Sequence, residues 1–254
     1  MILFVFEGNK REPQLFASIQ KLFFPKENET IVCSFGNNIY ELYRQLEDLD
    51  GGGDIVSLLR EKYQGKQDNP FADIESSSVF SEVYLFFDYD FHNVNYPLDQ
   101  LNKQLEEMLE IFDNETENGK LYINYPMVES IRYTKQLPDV NYWTYAVQRE
   151  ECDRFKKLSD DFSFYNSLDF ICVTTRREPT DNEINKAKTN WSFLKEQNVC
   201  KANYICNGVN CAPENKDCIS QSKIFINQLE KYVSKGECKV SILNAFPLFL
   251  YDYF

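Results

Sequence analysis

The chain is short of positive charge: 27 Lys and Arg stand against 40 Asp and Glu, the formal net charge is −13, and His92 is the only histidine in 254 residues. That balance is the reverse of the electrostatic footprint of a protein that holds long nucleic acid by its phosphates. Any such ligand must be met locally, through a divalent metal, a basic partner subunit or a small patch such as Lys10-Arg11 or Arg176-Arg177. Close Cys-x-x-Cys pairs are absent too. Four of the cysteines follow as Cys200-x5-Cys206-x4-Cys211-x6-Cys218, a spacing unlike the tight knuckles of structural zinc, so reduced and partly buried thiols are expected. No apolar run approaches the ~20 residues that cross a bilayer. No basic leader precedes the apolar start at Met1, and the expectation is a soluble, cytoplasmic protein without a membrane partner.

What is present is a large apolar fraction, 43%, with 21 Phe and 16 Tyr, enough for a sizeable core. Ile2–Phe6 is a continuous apolar run, as in a strand covered on both faces. A helix beginning at Glu12-Pro13 follows, with Leu15, Phe16, Ile19, Leu22 and Phe23 on its buried face. Residues 31–35 form a second strand, and Ile39 to Leu49 a second helix. Gly51-Gly52-Gly53 opens an insertion over about 50–80, containing one helix from Ile55 to Tyr63. Val83–Asp88 is the third strand, Pro97–Phe112 a helix and Lys120–Asn124 a further strand. This order predicts an α/β fold, a mostly parallel sheet flanked by helices, occupying residues 1–135. Residues 136–254 read as a mainly helical region, with helices at 142–158, 164–173, 181–197 and 220–233 and an exposed loop over 203–217. A late strand spans 239–243, and the apolar 246–254 segment docks on the core.

Two strands end in acids. Glu7-Gly8 closes the first and Asp88-Tyr89-Asp90 the third, and in an open parallel sheet the carboxyl ends of neighbouring strands converge on one crevice, where Glu7, Asp88 and Asp90 can share a hard cation with a phosphate. Asp88 and Asp90 share a face if the strand continues past Asp88. Such a pair suits Mg²⁺, or Mn²⁺ in its place, which takes one or two carboxylates and leaves other positions to water or phosphate. Glu12 starts the next helix, where it either reaches the crevice or simply complements the helix dipole. Glu129, at another strand-to-helix turn, is a further candidate carboxylate. His92 is a candidate phosphate contact beside Lys10 and Arg11.

The string Glu7-Gly8-Asn9-Lys10-Arg11-Glu12-Pro13, the turn Gly36-Asn37-Asn38 and the Asp88-Tyr89-Asp90 motif together resemble the Toprim fold. The likeness is greatest to the small standalone Toprim proteins of bacterial phage defence, of the OLD-like, RloB-like and abortive-infection groups, and it covers roughly residues 1–130. The resemblance implies phosphodiester cleavage in RNA or DNA. It makes Glu7 the general acid or base, Asp88 and Asp90 the Mg²⁺ ligands, and Glu12 a further ligand as in the nuclease branch. It also implies an ABC-type ATPase partner, since the chain has no Gly-x-x-x-x-Gly-Lys-Ser/Thr loop of its own. A homo-oligomer is compatible with the same reading. The acidic charge and the insertion between the second and third strands depart from the minimal fold and weigh against a site that works alone. Two other readings stay open: a haloacid-dehalogenase-like phosphatase with Asp88 as nucleophile, although His92 stands where Thr or Val is expected, and an acidic interaction module without catalysis.

Overall fold

The computed structural model describes residues 1–24, 29–48, 54–163, 177–234, 236 and 238–254. Its centre is a five-stranded sheet in the order β2-β1-β3-β5-β4, formed by β1 (Ile2–Phe6), β2 (Thr30–Ser34), β3 (Glu82–Asp88), β4 (Asp113–Asn114) and β5 (Gly119–Asn124). All pairings are parallel except that of β4 with β5. The fold is therefore α/β, as the alternation of apolar runs and amphipathic segments predicts. The whole of β1 and nearly all of β3 are buried, which explains why neither shows polar alternation.

One face of the sheet carries α1 (Arg11–Phe23) and two elements from the far end of the chain, α6 (Asp181–Asn207) and α8 (Ala245–Tyr253). The other carries α2 (Ile39–Glu47), α4 (Leu98–Ile111) and α7 (Gln221–Gln228), with α3 (Ile55–Tyr63) in the connection between β2 and β3. Phenylalanine and tyrosine build the first layer. Phe4 meets Phe16 with ring centroids 4.0 Å apart, Phe86 stacks on Phe246 at 4.7 Å, and Tyr84 meets Phe249 edge-on at 5.0 Å. The 246–254 segment is thus docked, with Phe246 and Phe249 fully buried. A backbone bridge between Tyr125 and Leu243 ties the same region to the end of β5.

The second half is less regular than its sequence suggests. The helix expected over 142–158 is instead a 3-10 turn at Tyr142–Thr144, strand β6 (Ala146–Gln148), a 3-10 turn at Arg149–Arg154 and the short α5 (Phe155–Phe162). The reason is pairing: β6 forms an antiparallel two-stranded sheet with β7 (Lys239–Ser241), a partner nearly a hundred residues away that helical periodicity cannot reveal. Conversely α6 runs past the expected end and through Asn203, from a Thr180–Glu183 capping box to Gly208, whose φ of +77° supplies the left-handed stop. The expected helix at 164–173 and the Gly51-Gly52-Gly53 break lie outside the described residues. Among the described residues no helix is long and apolar enough to cross a membrane.

Candidate active site

The strand order decides where a site forms. The chain leaves β1 for β2 on one side, then crosses to β3 on the other, so the loops after β1 and β3 diverge and open a crevice between their carboxyl ends. Glu7 and Asp88 are the residues at that point. The Glu7 carboxylate accepts a hydrogen bond of 2.9 Å from the backbone N–H of Asp88, which joins the two strand ends directly. The turn after β2 is stitched to the same place, with Gly36 N–H donating to the Glu7 carbonyl at 2.8 Å and the Ser34 hydroxyl to the Gly8 carbonyl at 2.8 Å.

Glu12 comes back to the crevice from the first turn of α1. Its carboxylate accepts from the Gly8 N–H at 3.1 Å, and a Cβ on residue 8 would stand 2.9 Å from its Oε2. The Glu-Gly-x-x-x-Glu spacing therefore has a local physical reason: glycine lets the carboxylate of Glu12 close over the loop backbone. Asp88, nearly buried, is held by the Asn124 amide at 3.0 Å. The Asn124 oxygen accepts from the Ala245 N–H at 3.0 Å, so the amide is oriented with its donor towards the acid.

Asp90 reaches the crevice by a different route from the one expected. The strand ends at Asp88, Tyr89 turns into the core, and Asp90 sits in a left-handed kink with φ of +48°. Strand alternation does not place the two aspartates on one face. The kink is supported from both sides: the Tyr40 hydroxyl donates to the Tyr89 carbonyl at 2.8 Å, and the Tyr89 hydroxyl to Asn102 at 2.6 Å. Arg149, from the second half of the chain, straps the following loop, donating to the carbonyls of Phe91 at 2.9 Å and Asn93 at 2.7 Å.

The electrostatics bear the mark of this convergence. Burial, then the charge of Asp90, pushes the Glu7 carboxyl well above the usual carboxylate range, against the pull of the Asp88 N–H. Burial and then Glu7, Glu12 and Asp90 push Asp88 up in the same way. Burial raises Glu12 against its backbone hydrogen bonds, with Glu129 adding to the rise and Arg11 opposing it. Asp90 is raised by burial and drawn down by His92. Among the described residues none of the four carboxylates Glu7, Glu12, Asp88 and Asp90 forms an ion pair with Lys or Arg.

The remaining expected residues are more peripheral. Glu129 lies in a 3-10 turn at Val128–Arg132, near enough to raise Glu12, with Lys156 at 3.9 Å. Lys10 is exposed and Arg11 half-buried at the start of α1. Arg177 is engaged in a two-pronged contact with Glu183 at 2.6 and 2.9 Å, and Arg176 lies outside the described residues. Cys33, Cys152, Cys200, Cys206, Cys211, Cys218 and Cys238 are free thiols. Among the described residues no three or more His, Cys, Asp or Glu side chains stand together in a ready-made metal cage. Asn124 and Arg149 were not singled out from the sequence. Asn124 offered a signal, as a polar residue ending a buried strand; Arg149 offered none.

No family model, curated protein or solved structure matches the chain. A cavity of about 750 Å³ lies at the opposite end of the sheet, between α2, α3 and α4 and lined by Leu46, Ile55, Val83 and Met108, and it contains none of these acids. Its size carries less weight than the carboxylate cluster, because a site for chemistry is marked by convergent groups with shifted protonation.

Proposed function

We propose that the chain is a metal-dependent nuclease of Toprim-like type that cleaves phosphodiester bonds in RNA or DNA. The observation that carries this reading is the meeting of Glu7 and Asp88 at the β1/β3 switch point, with Glu12 and Asp90 close enough to raise their protonation. Four carboxylates with no Lys or Arg paired to them among the described residues are an all-oxygen donor set, the chemistry that Mg²⁺ or Mn²⁺ prefers. Asp88 and Asp90 would hold the ion and Glu12 would add a further oxygen, with Glu129 behind it. These side chains do not stand as a ready-made cage, so holding the ion would require them to draw together. Bound there, it would neutralise the charge of the phosphate under attack.

Glu7 is the proton handler. Its carboxyl, raised by burial and by the charge of Asp90, is suited to accept a proton from an attacking water and to return one to the leaving oxygen. The Asp88 N–H orients its Oε2, and Asn124 keeps Asp88 facing the crevice. Lys10, Arg11 and His92 would contact the substrate backbone. The net charge of −13 disfavours unaided capture of long nucleic acid, and the absence of a nucleotide-binding loop fits dependence on a partner ATPase of the ABC type in a phage-defence role.

Cleavage of end-labelled RNA and DNA with Mg²⁺ or Mn²⁺, with and without such a partner, tests the proposal. Cleavage that disappears in both Glu7→Ala and Asp88→Ala, with folding intact, supports it. A phosphate ester hydrolysed through a covalent adduct on Asp88 would replace it with the phosphatase reading. Indifference of both variants to metal and substrate would leave an interaction module.

A further inference from the structure

Next to the acids lies a second concavity of about 690 Å³, formed where the loop after β3 meets β6 and the turn beyond it. It is within the roughly 300–1,000 Å³ typical of small-ligand sites. Its wall is chemically mixed. Gln148 offers amide donors, its oxygen capping the turn at the Glu151 N–H, Glu150 and Asp153 are acceptors, the latter 3.8 Å from Arg154, Arg149 brings a planar guanidinium, and Val94, 82% exposed, supplies an apolar surface.

His92 forms the side nearest the acids. Its Nδ1 is shut off from solvent and has no hydrogen-bond partner among the described residues, an arrangement that costs free energy unless a partner arrives. A ring rotation that brought this nitrogen to the cavity wall would let a polar ligand seated there satisfy it. Arg149 fixes the distance between cavity and acids, since the guanidinium that lines the cavity also holds the Phe91 and Asn93 carbonyls of the Asp90 loop.

A phosphate does not suit this wall, because Glu150 and Asp153 repel it. A nucleobase does. The edges of the bases present donors and acceptors side by side, matching amide and carboxylate groups, and their flat faces stack on guanidinium or apolar surface. A base can enter a concavity only when it is unpaired, since pairing occupies the edge that is read. We propose that this cavity receives an unpaired nucleobase beside the phosphate under attack, so that the substrate is single-stranded or locally opened nucleic acid. The assignment rests on the nuclease reading of the neighbouring acids and extends it to a substrate class.

The test uses the full chain in EDTA, without catalysis, and a single-stranded oligonucleotide carrying 2-aminopurine, whose fluorescence reports the surroundings of the base. Saturable binding with a fluorescence change is expected for wild type and for Glu7→Gln. In Glu150→Ala/Asp153→Ala binding weakens at least about tenfold, as expected when two hydrogen-bond acceptors to a base edge are lost. A fully paired duplex of the same sequence gives no such change. The double variant removes two negative charges, so attraction through phosphates alone would tighten binding. Equal or tighter binding by the double variant, or equal binding of duplex, overturns the proposal. The two readings separate: cleavage lost in Glu7→Gln with base binding retained supports both, while a wild type that binds the base but cleaves neither RNA nor DNA with Mg²⁺ or Mn²⁺ removes the nuclease assignment and leaves the base site standing.

Discussion

Two places in this molecule bury charge, and they do so in opposite ways. Lys201 on α6 is fully buried, but its ammonium donates to the carbonyls of Tyr142 at 3.0 Å and Tyr145 at 2.6 Å and lies 4.6 Å over the Tyr142 ring. Burial pulls its protonation well below that of an ordinary lysine, and Asp139 pulls it back. The acid crevice holds four carboxylates, of which Glu7 and Asp88 are raised by their acidic neighbours; Glu7, Glu12 and Asp88 each accept an N–H donor, and among the described residues none of the four forms an ion pair with Lys or Arg. A buried charge answered by backbone dipoles is a structural device: here it gathers the irregular Tyr142–Tyr145 segment against α6. A group of like charges left without a counterion is stable only in part, and an incoming cation relieves it.

The largest expected effect tests the structural half of that contrast. Lys201→Ala empties a packed site and strands two carbonyls, so it should cost about 3 kcal/mol of unfolding free energy in a urea titration. Cleavage per folded molecule should be unaltered; loss of cleavage without loss of stability would mean that Lys201 is not structural at all. Glu7→Gln should behave as the mirror image. Removing a general acid or base lowers cleavage by at least about 100-fold, while the thermal midpoint of the metal-free protein at neutral pH stays the same or rises because one of the mutually repelling charges is gone. A fall in the midpoint would show that the crevice is stabilised by its acids rather than strained by them.

Protonation sharpens the comparison further. For Glu7, Asp88, Asp90 and Glu12 the folded-state carboxyls lie above their unfolded values, so the folded chain binds more protons. Their contribution is fully favourable below the ordinary carboxylate range of about 4, and is lost as pH rises from there through the raised folded-state values. Thermal scans of metal-free protein should accordingly show the crevice's contribution eroding as pH rises above about 4. Millimolar Mg²⁺ or Mn²⁺ should restore about 1–3 kcal/mol at neutral pH by binding only the folded state. That gain should vanish in Asp88→Asn, and a wild type indifferent to both ions would remove the metal from the picture. The smallest effect belongs to Arg149→Ala. It should cost about 1–2 kcal/mol and speed hydrogen exchange at the Asn93 amide, which donates to the Asp90 carbonyl at 2.8 Å. An unchanged exchange rate would show that the loop holds its kink without the strap.

Much of the crevice was readable along the chain because it obeys local rules. An unbroken apolar run followed by an acid marks a buried parallel strand with a polar end, and both Ile2–Phe6 with Glu7 and Val83–Phe87 with Asp88 follow it. The Glu7-Gly8-x-x-x-Glu12 spacing fits one strand-to-helix turn. Asp90 was placed at the crevice for an incorrect reason: alternation assumed a strand, whereas the turn that buries Tyr89 forces Asp90 into a left-handed conformation. The 142–158 segment misled because its apolar residues suit a helix, and only pairing with Lys239–Ser241 makes 146–148 a strand.

What the chain's own order of residues dictated was the α/β class, the positions of the acid-tipped strands and an apolar terminus that could not remain in water, since each follows from burial and periodicity over a few neighbouring positions. Tertiary structure decided the rest. The order β2-β1-β3-β5 makes Glu7 and Asp88 neighbours across 81 residues, Asn124 and Ala245 orient Asp88, and Arg149 braces the Asp90 loop from the far half. Those contacts depend on which distant segments share a sheet or a carbonyl, and no local pattern of hydrophobicity or charge encodes that choice.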